Sequence, residues 1–256
     1  MKPKKLGGGI LIEQIKFQSL KDLKFQYKDC TRCDLCVDRA SVVFGKGNPN
    51  AKILVVGEAP GLDEDSYGVP FYGTSGAYLT SLMAKAWPAD DKAFAEISKL
   101  RDDTAFIEAA SEYFEDMCFY TNAVMCKPKR EVDPKKSEID ACRSRLLQII
   151  YTVDPDIIIA CGAVAASAVV GKLIKIKKHL GKLLDVPVES HVSGNLIRYG
   201  CKVIYSPGYL LARGDQALVA KQKGDSYKTV VHLQEALEAL DLMHKHQTGK
   251  HFWENK

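Results

Sequence analysis

Three short apolar runs constrain this chain more than any other feature. "AKILVVGEAPG" (51–61), "MCFYTNAVMC" (117–126) and "PDIIIACG" (155–162) each break off at Gly or Asn. Runs apolar on both faces suit strands buried in a parallel sheet, not strands with one wet face. Helical patterns lie between them: "TSGAYLTSLMAKAW" (74–87), with Thr74 and Ser75 as cap-like residues, and "SEIDACRSRLLQIIYTV" (137–153). The latter opens on Ser137 with Asp140 three residues on, a capping-box pattern. "AVAASAVVGKL" (163–173) and "SYKTVVHLQEALEALDLMHKH" (226–246) continue the alternation, and "YGCKVIYSPGYLLARG" (199–214) adds a fourth strand and its loop. Strand–helix alternation predicts an α/β fold, a four-stranded mostly parallel sheet between helical layers. Ligands of such sheets bind beyond the C-terminal strand ends. The loops to inspect are therefore "GEAPGLDEDSYGVPFYG" (57–73), "TNAVMC" (121–126) and "SPGYLLARG" (206–214).

The chain has 256 residues, 46% of them hydrophobic, with a net charge of +4. A core of this size needs no metal to fold. The mild positive charge permits nucleic-acid binding without demanding it. No apolar run approaches the roughly 18 residues of a membrane span, and "MKPKKLGGG" (1–9) reads as a flexible tail, not a secretory signal. A cytosolic location follows as the expectation. There the eight cysteines suggest metal ligands or buried thiols before disulfides.

"CTRCDLC" supplies Cys30, Cys33 and Cys36; Cys126 ends the second strand and Cys142 lies in the next helix. Only the first pair is tight, so the set lacks the two knuckles of a zinc ribbon. Cys30, Cys33, Cys126 and Cys142 suit thiolates gathered from a loop, a strand end and a helix, a spread an iron–sulfur cluster tolerates. Cys36 could replace Cys33. Cys118, Cys161 and Cys201 read as small apolar fillers.

The stretch from "CTRCDLC" through "GEAPGLDEDSYGVPFYGTSG", with "YTNAVMCKPKREVDPKKSEIDACRSRL" and "DPDIIIACGAVAASAVVG", resembles the family 4 uracil-DNA glycosylases over roughly residues 30–215. The resemblance implies that the four cysteines hold a [4Fe–4S] cluster. It also implies a single glycosylase-like domain at 10–245, flanked by the tail 1–9 and a second tail at 246–256. The polar, helical segment 88–116 is longer than the family's usual connection. The implied partner is uracil-containing DNA; the protein is expected to be a monomer with no membrane contact.

A glycosylase flips its nucleotide out of the stack. Phe71 can stack on the flipped ring. Asn122 can accept from uracil N3–H and donate to O4, a pattern that cytosine reverses. Backbone N–H groups of the Gly57–Gly61 loop can approach the growing negative charge on uracil O2. By resemblance Glu58 and Glu64 line the pocket, where one could place water or stabilise the cationic sugar. Ala59 replaces the Asp of some relatives. Asp63 and Asp65 read as a solvated acidic loop. Ser206 stands where the family's His belongs; losing such a donor costs about 3–4 kcal/mol. Lys127, Lys129 and Arg130 are candidates for DNA phosphates, with Arg213 and the lysine-rich run 172–182 behind them. Two further readings accompany the active glycosylase: an iron–sulfur DNA-binding protein without turnover, and a glycosylase for another base.

Overall fold

The computed structural model describes residues 19–129, 132–189, 194–214, 216, 219 and 221–254. Its centre is a sheet of strands β1 (Lys46–Gly47), β2 (Ile53–Gly57), β3 (Cys118–Asn122), β4 (Ile157–Cys161), β5 (Leu183–Glu189) and β6 (Leu196–Ile204). The order is β1-β3-β2-β4-β6-β5. The four inner strands run parallel, as the apolar runs predict. β1 pairs antiparallel with β3, and β5 antiparallel with β6, so the sheet has six strands where four were expected. Both added strands lie at edges. β5 alternates exposed and buried residues, keeping Val186 and Val188 inward, and it tolerates Pro187 because one of its sides needs no ladder partner.

Helices cover both faces. α1 (Leu20–Tyr27), α6 (Lys136–Val153) and α7 (Ala163–Val170) pack on one; α3 (Thr74–Ala86), α5 (Asp103–Met117) and α10 (Gly224–Thr248) pack on the other. Short helices α2 (Leu62–Tyr67), α4 (Lys92–Ile97), α8 (Ile176–His179) and α9 (Pro207–Arg213) fill the connections. No helix among the described residues is long and apolar enough to cross a membrane.

Two helix starts differ from expectation. α6 begins at Lys136; Glu138, not Asp140, reaches back to accept the Lys135 N–H at 2.7 Å, and Ser137 lies inside the helix. Glu is long enough to close that ring two residues earlier. α3 is preceded by Gly73 at φ 88, so Gly takes the cap position and Thr74 the first turn.

The segment 88–116 is helical, but its polar composition conceals a buried aromatic face. Phe94, Tyr113 and Phe114 enclose Trp87, with Phe114 at a ring distance of 5.0 Å. Buried Asp91 organises the cluster. Its carboxylate caps α4 through Ala93 and Phe94 N–H and accepts from Trp87 Nε1 at 2.9 Å and from the Tyr113 hydroxyl. Phe252 and Trp253 join the same core, so the chain is packed to Glu254 rather than loose from residue 246.

Candidate active site and cysteine patch

The C-terminal ends of β2, β3 and β4 open toward one place. β2 and β3 are in register from Ile53↔Cys118 to Gly57↔Asn122. Their pairing continues past the strands: Ala123 N–H donates to Gly57 O at 2.9 Å and Val124 N–H to Glu58 O at 3.0 Å. Glu58 and Ala59 are therefore held beside the Asn122 loop. A Cβ on Gly57 would lie 2.2 Å from Asn122 Oδ1 and 2.9 Å from Phe71 Cζ. Gly57, Phe71 and Asn122 thus share one small space.

Asn122 is 2% exposed, and its Nδ2 has no hydrogen-bond partner. A buried unpaired donor costs about 1–3 kcal/mol. The amide does reach the Glu64 carboxylate loosely enough to favour its charged form, without the geometry of a full hydrogen bond.

Glu64 is committed to the backbone. One oxygen accepts Gly61 N–H at 2.6 Å, capping α2; the other accepts Phe71 N–H. Burial raises its pKa, opposed by those two N–H groups, the Asn122 amide and the Lys46 charge. Phe71 is held at φ 53, a conformation rare outside Gly. A Cβ on Gly76 would fall 1.8 Å from Phe71 O, so only Gly lets α3 approach. The geometry makes Glu64 the clamp of the Phe71 loop.

Glu58 is only part-buried, yet burial raises its pKa to about 7, with the nearby Asp133 carboxylate adding to the shift. Asp65 departs from the solvated-loop expectation. It is 3% exposed and accepts Ala40 N–H at 2.9 Å and Ser41 N–H at 3.3 Å, tying α2 to the segment after the cysteine loop. Asp63 is exposed, as expected.

Ser206 lies after β6 and beside Gly162 at the end of β4, with its Cβ 3.3 Å from where a Gly162 side chain would begin. Its Oγ caps α9 by accepting Tyr209 N–H at 3.3 Å. Gly208 in turn approaches Ser75, which joins this loop to the start of α3.

The cysteines fall as the spacing suggested. Cys118, Cys161 and Cys201 are buried in the core, and burial pushes each thiol up to about 12. Cys126 and Cys142 share a small apolar patch with Leu35 and Val124, and Cys33 and Ala59 pack against it. Burial, then the charges of Cys142 and Cys30, raises the Cys33 pKa. Burial carries Cys126 to about 11 despite the Arg39 guanidinium. Burial also opposes ionisation of Cys30, yet the Arg32 peptide and the Arg145 and Arg32 charges hold its pKa low. Electrostatic coupling thus links the four named thiols in series, Cys30 to Cys33, Cys33 to Cys142 and Cys142 to Cys126. No three His, Cys, Asp or Glu side chains among the described residues stand in metal-holding geometry.

Two arginines serve this patch. Arg39 Nη1 bonds Cys126 Sγ at 3.4 Å and Cys30 O at 2.6 Å; Arg145 Nη2 bonds Cys142 Sγ at 2.8 Å. Arg145 is 1% exposed, and its Nε and Nη1 have no partner. A buried guanidinium with spare donors calls for negative charge beside it. Thiolates around an anionic cluster would supply that, so the residues fit the group. Neither arginine was foreseen from the sequence; Arg145 lies three residues beyond Cys142, one helical turn, which is the signal available.

Of the DNA-contact candidates, Lys129 pairs with Asp38 at 2.6 Å and Arg213 lies 4.0 Å from Asp225, both cations being exposed. Ion pairs of exposed cations are weak and yield readily to a phosphate. Lys127 is half-buried beside Cys126. Arg130 lies outside the described residues.

The sequence profile of the uracil DNA glycosylase superfamily matches residues 44–240. The type-4 uracil-DNA glycosylase of Thermotoga maritima is 35% identical over 159 residues, covering 62% of this chain and 70% of the relative. That of Saccharolobus solfataricus is 32% identical over 72% of this chain and 71% of the relative. That of Archaeoglobus fulgidus is 29% identical over 77% and 85%. The chain belongs to the uracil DNA glycosylase superfamily, in its type-4 branch.

Proposed function

We propose that this protein excises uracil from DNA by hydrolysing the bond between base and sugar, in one glycosylase domain to which 88–116 adds a helical elaboration. The observation that carries the reading is the buried Asn122 amide beside Gly57 and Phe71, whose Nδ2 completes no hydrogen bond of ordinary geometry. Uracil O4 would satisfy that donor, and Asn122 Oδ1 would accept N3–H. Cytosine offers an N–H2 group and a bare ring nitrogen there, and loses both bonds.

Phe71, fixed by Glu64, stacks on the flipped base. As the bond breaks, the sugar becomes cationic and the base anionic. Glu58 carries the carboxylate for the sugar or for the attacking water, with Glu64 serving by position. The Ser206 hydroxyl and the Gly57–Gly61 backbone face the charge growing on uracil O2. Ser206 brings no positive charge, so turnover is slow relative to relatives with His. Lys127, Lys129, Arg130 and Arg213 contact the DNA backbone.

Cys30, Cys33, Cys126 and Cys142 would hold a [4Fe–4S] cluster, with Arg39 and Arg145 bonding to its thiolates. Its contribution when bound is structural, joining the N-terminal loop to β3 and α6. The protein acts as a cytosolic monomer.

The test is base release from oligonucleotides carrying one uracil, thymine or cytosine, single-stranded and opposite guanine. Abasic product from uracil alone is expected. Tight DNA binding without release, or release of another base, would overturn the reading.

A further inference from the structure

Two tyrosines flank the Phe71 loop without entering the chemistry above. Tyr67 ends α2 and Tyr72 follows Phe71 directly. Their ring centroids lie 4.5 Å apart at an interplanar angle of 36°. Tyr67 is nevertheless 65% exposed and Tyr72 45% exposed. A pair that merely closed the end of α2 would gain more by turning inward.

The backbone that displays these rings is fixed from several sides. Glu64 binds both Gly61 and Phe71 N–H; Gly68 ends α2 at φ 70 and donates to Glu64 O at 2.8 Å; Asp65 binds Ala40 and Ser41 N–H. Little ordering entropy is then left to lose when something lands on the rings. Two of the three acidic side chains of α2 are spent on these internal bonds, leaving Asp63 outward. The face is less repulsive to DNA than "DED" suggests.

Position selects the occupant. Tyr72 Cα is one peptide, about 3.8 Å, from Phe71 Cα, and the Phe71 ring borders the Asn122 space. The exposed tyrosine rings therefore stand within one residue of the place where a flipped base would sit on Phe71, within reach of the next nucleotide. We infer that Tyr67 and Tyr72 form a stacking platform for the nucleobase adjacent to the flipped uracil, favouring single-stranded or locally unpaired DNA. The inference rests on the glycosylase reading and adds a second base site to it. Aromatic rings take any base that has left the duplex stack, because every base has a π-face.

The test is equilibrium binding of the full chain to single-stranded oligonucleotides carrying 2′-fluoro-2′-deoxyuridine, whose electron-poor sugar resists cleavage. Each neighbour of that nucleotide is replaced in turn by an abasic spacer. Deleting the platform base should weaken binding by the parent about 5- to 100-fold. Tyr72→Ala should bind the intact strand as weakly and lose nothing more on the spacer strand. Tyr67→Phe and Tyr72→Phe should match the parent, and the loss should persist at raised salt, where phosphate contacts fade. Equal losses in parent and Tyr72→Ala, parent-like binding by Tyr72→Ala, or losses in the Phe variants would overturn the platform. A parent with no preference for the uracil analogue over thymine would instead overturn the glycosylase reading.

Discussion

Gly57 and Asn122 are register partners on β2 and β3, and a side chain on Gly57 would stand 2.2 Å from Asn122 Oδ1. The missing Cβ lets the amide and the Phe71 ring share one space. Gly57→Ala should displace Asn122 and cost about 100-fold in single-turnover uracil release. Gly57 has no positive φ demanding Gly, so the backbone tolerates the change, and the melting temperature, followed by circular dichroism, should fall only by the few degrees that overpacking a buried site costs.

Ser206 sits at the cap of α9 beside the end of β4. Ser206→His restores a longer donor that can carry charge. Single-turnover release should rise about 100- to 1000-fold, and the rise should vanish when Asn122 is also replaced by Ala.

Glu58 gives a pH signature. Its pKa is raised from 4.5 to about 7, chiefly by burial. The folded state therefore binds the proton more tightly than the unfolded state. That contribution to stability is fully present below the unfolded value and is lost as pH rises through the folded one. Thermal melts should show Glu58→Gln gaining on the parent between those two values and level above them. Release needs the carboxylate, so the parent rate should climb with an apparent midpoint near the Glu58 value, and Glu58→Gln should be slow and flat.

The cysteine patch predicts a selective loss of iron. Metal analysis and visible absorption of anaerobically purified protein should show bound iron and sulfide. Cys126→Ser and Cys142→Ser should lose both, whereas Cys118→Ser and Cys201→Ser, at core positions, should keep them. Zinc in the parent would contradict the cluster assignment.

Asp91 joins four donors, three in the 88–116 segment and Trp87 just before it. Asp91→Ala strands the Trp87 and Tyr113 donors in a buried setting and should cost about 3 kcal/mol or more in denaturant unfolding. The site lies elsewhere, so release by the folded fraction should be unchanged.

The four parallel strands were legible because β2 and β4 are apolar on both faces, and only a covered sheet accepts such runs. β5 was not, because "LLDVPVE" alternates and carries Pro187, which reads as loop unless its edge position is known. Gly57, Phe71 and Asn122 could be named from their motifs. The clamp that assembles them could not: Phe71 is a non-glycine at positive φ, Glu64 was expected to line the pocket and instead holds two backbone N–H groups, and Asp65 looks like a solvated acid until its backbone partners are seen. The Arg145–Cys142 pair is likewise invisible without burial, since an Arg in a helix is ordinarily a surface residue.

Asn122 carries the proposed recognition of uracil. The measurement is single-turnover release from a single-uracil oligonucleotide by the parent and by Asn122→Ala. Release by the parent and loss of about 100-fold or more in the variant, with unchanged melting, is the predicted result. Equal release by the two proteins, or none by the parent on any uracil strand, would contradict it.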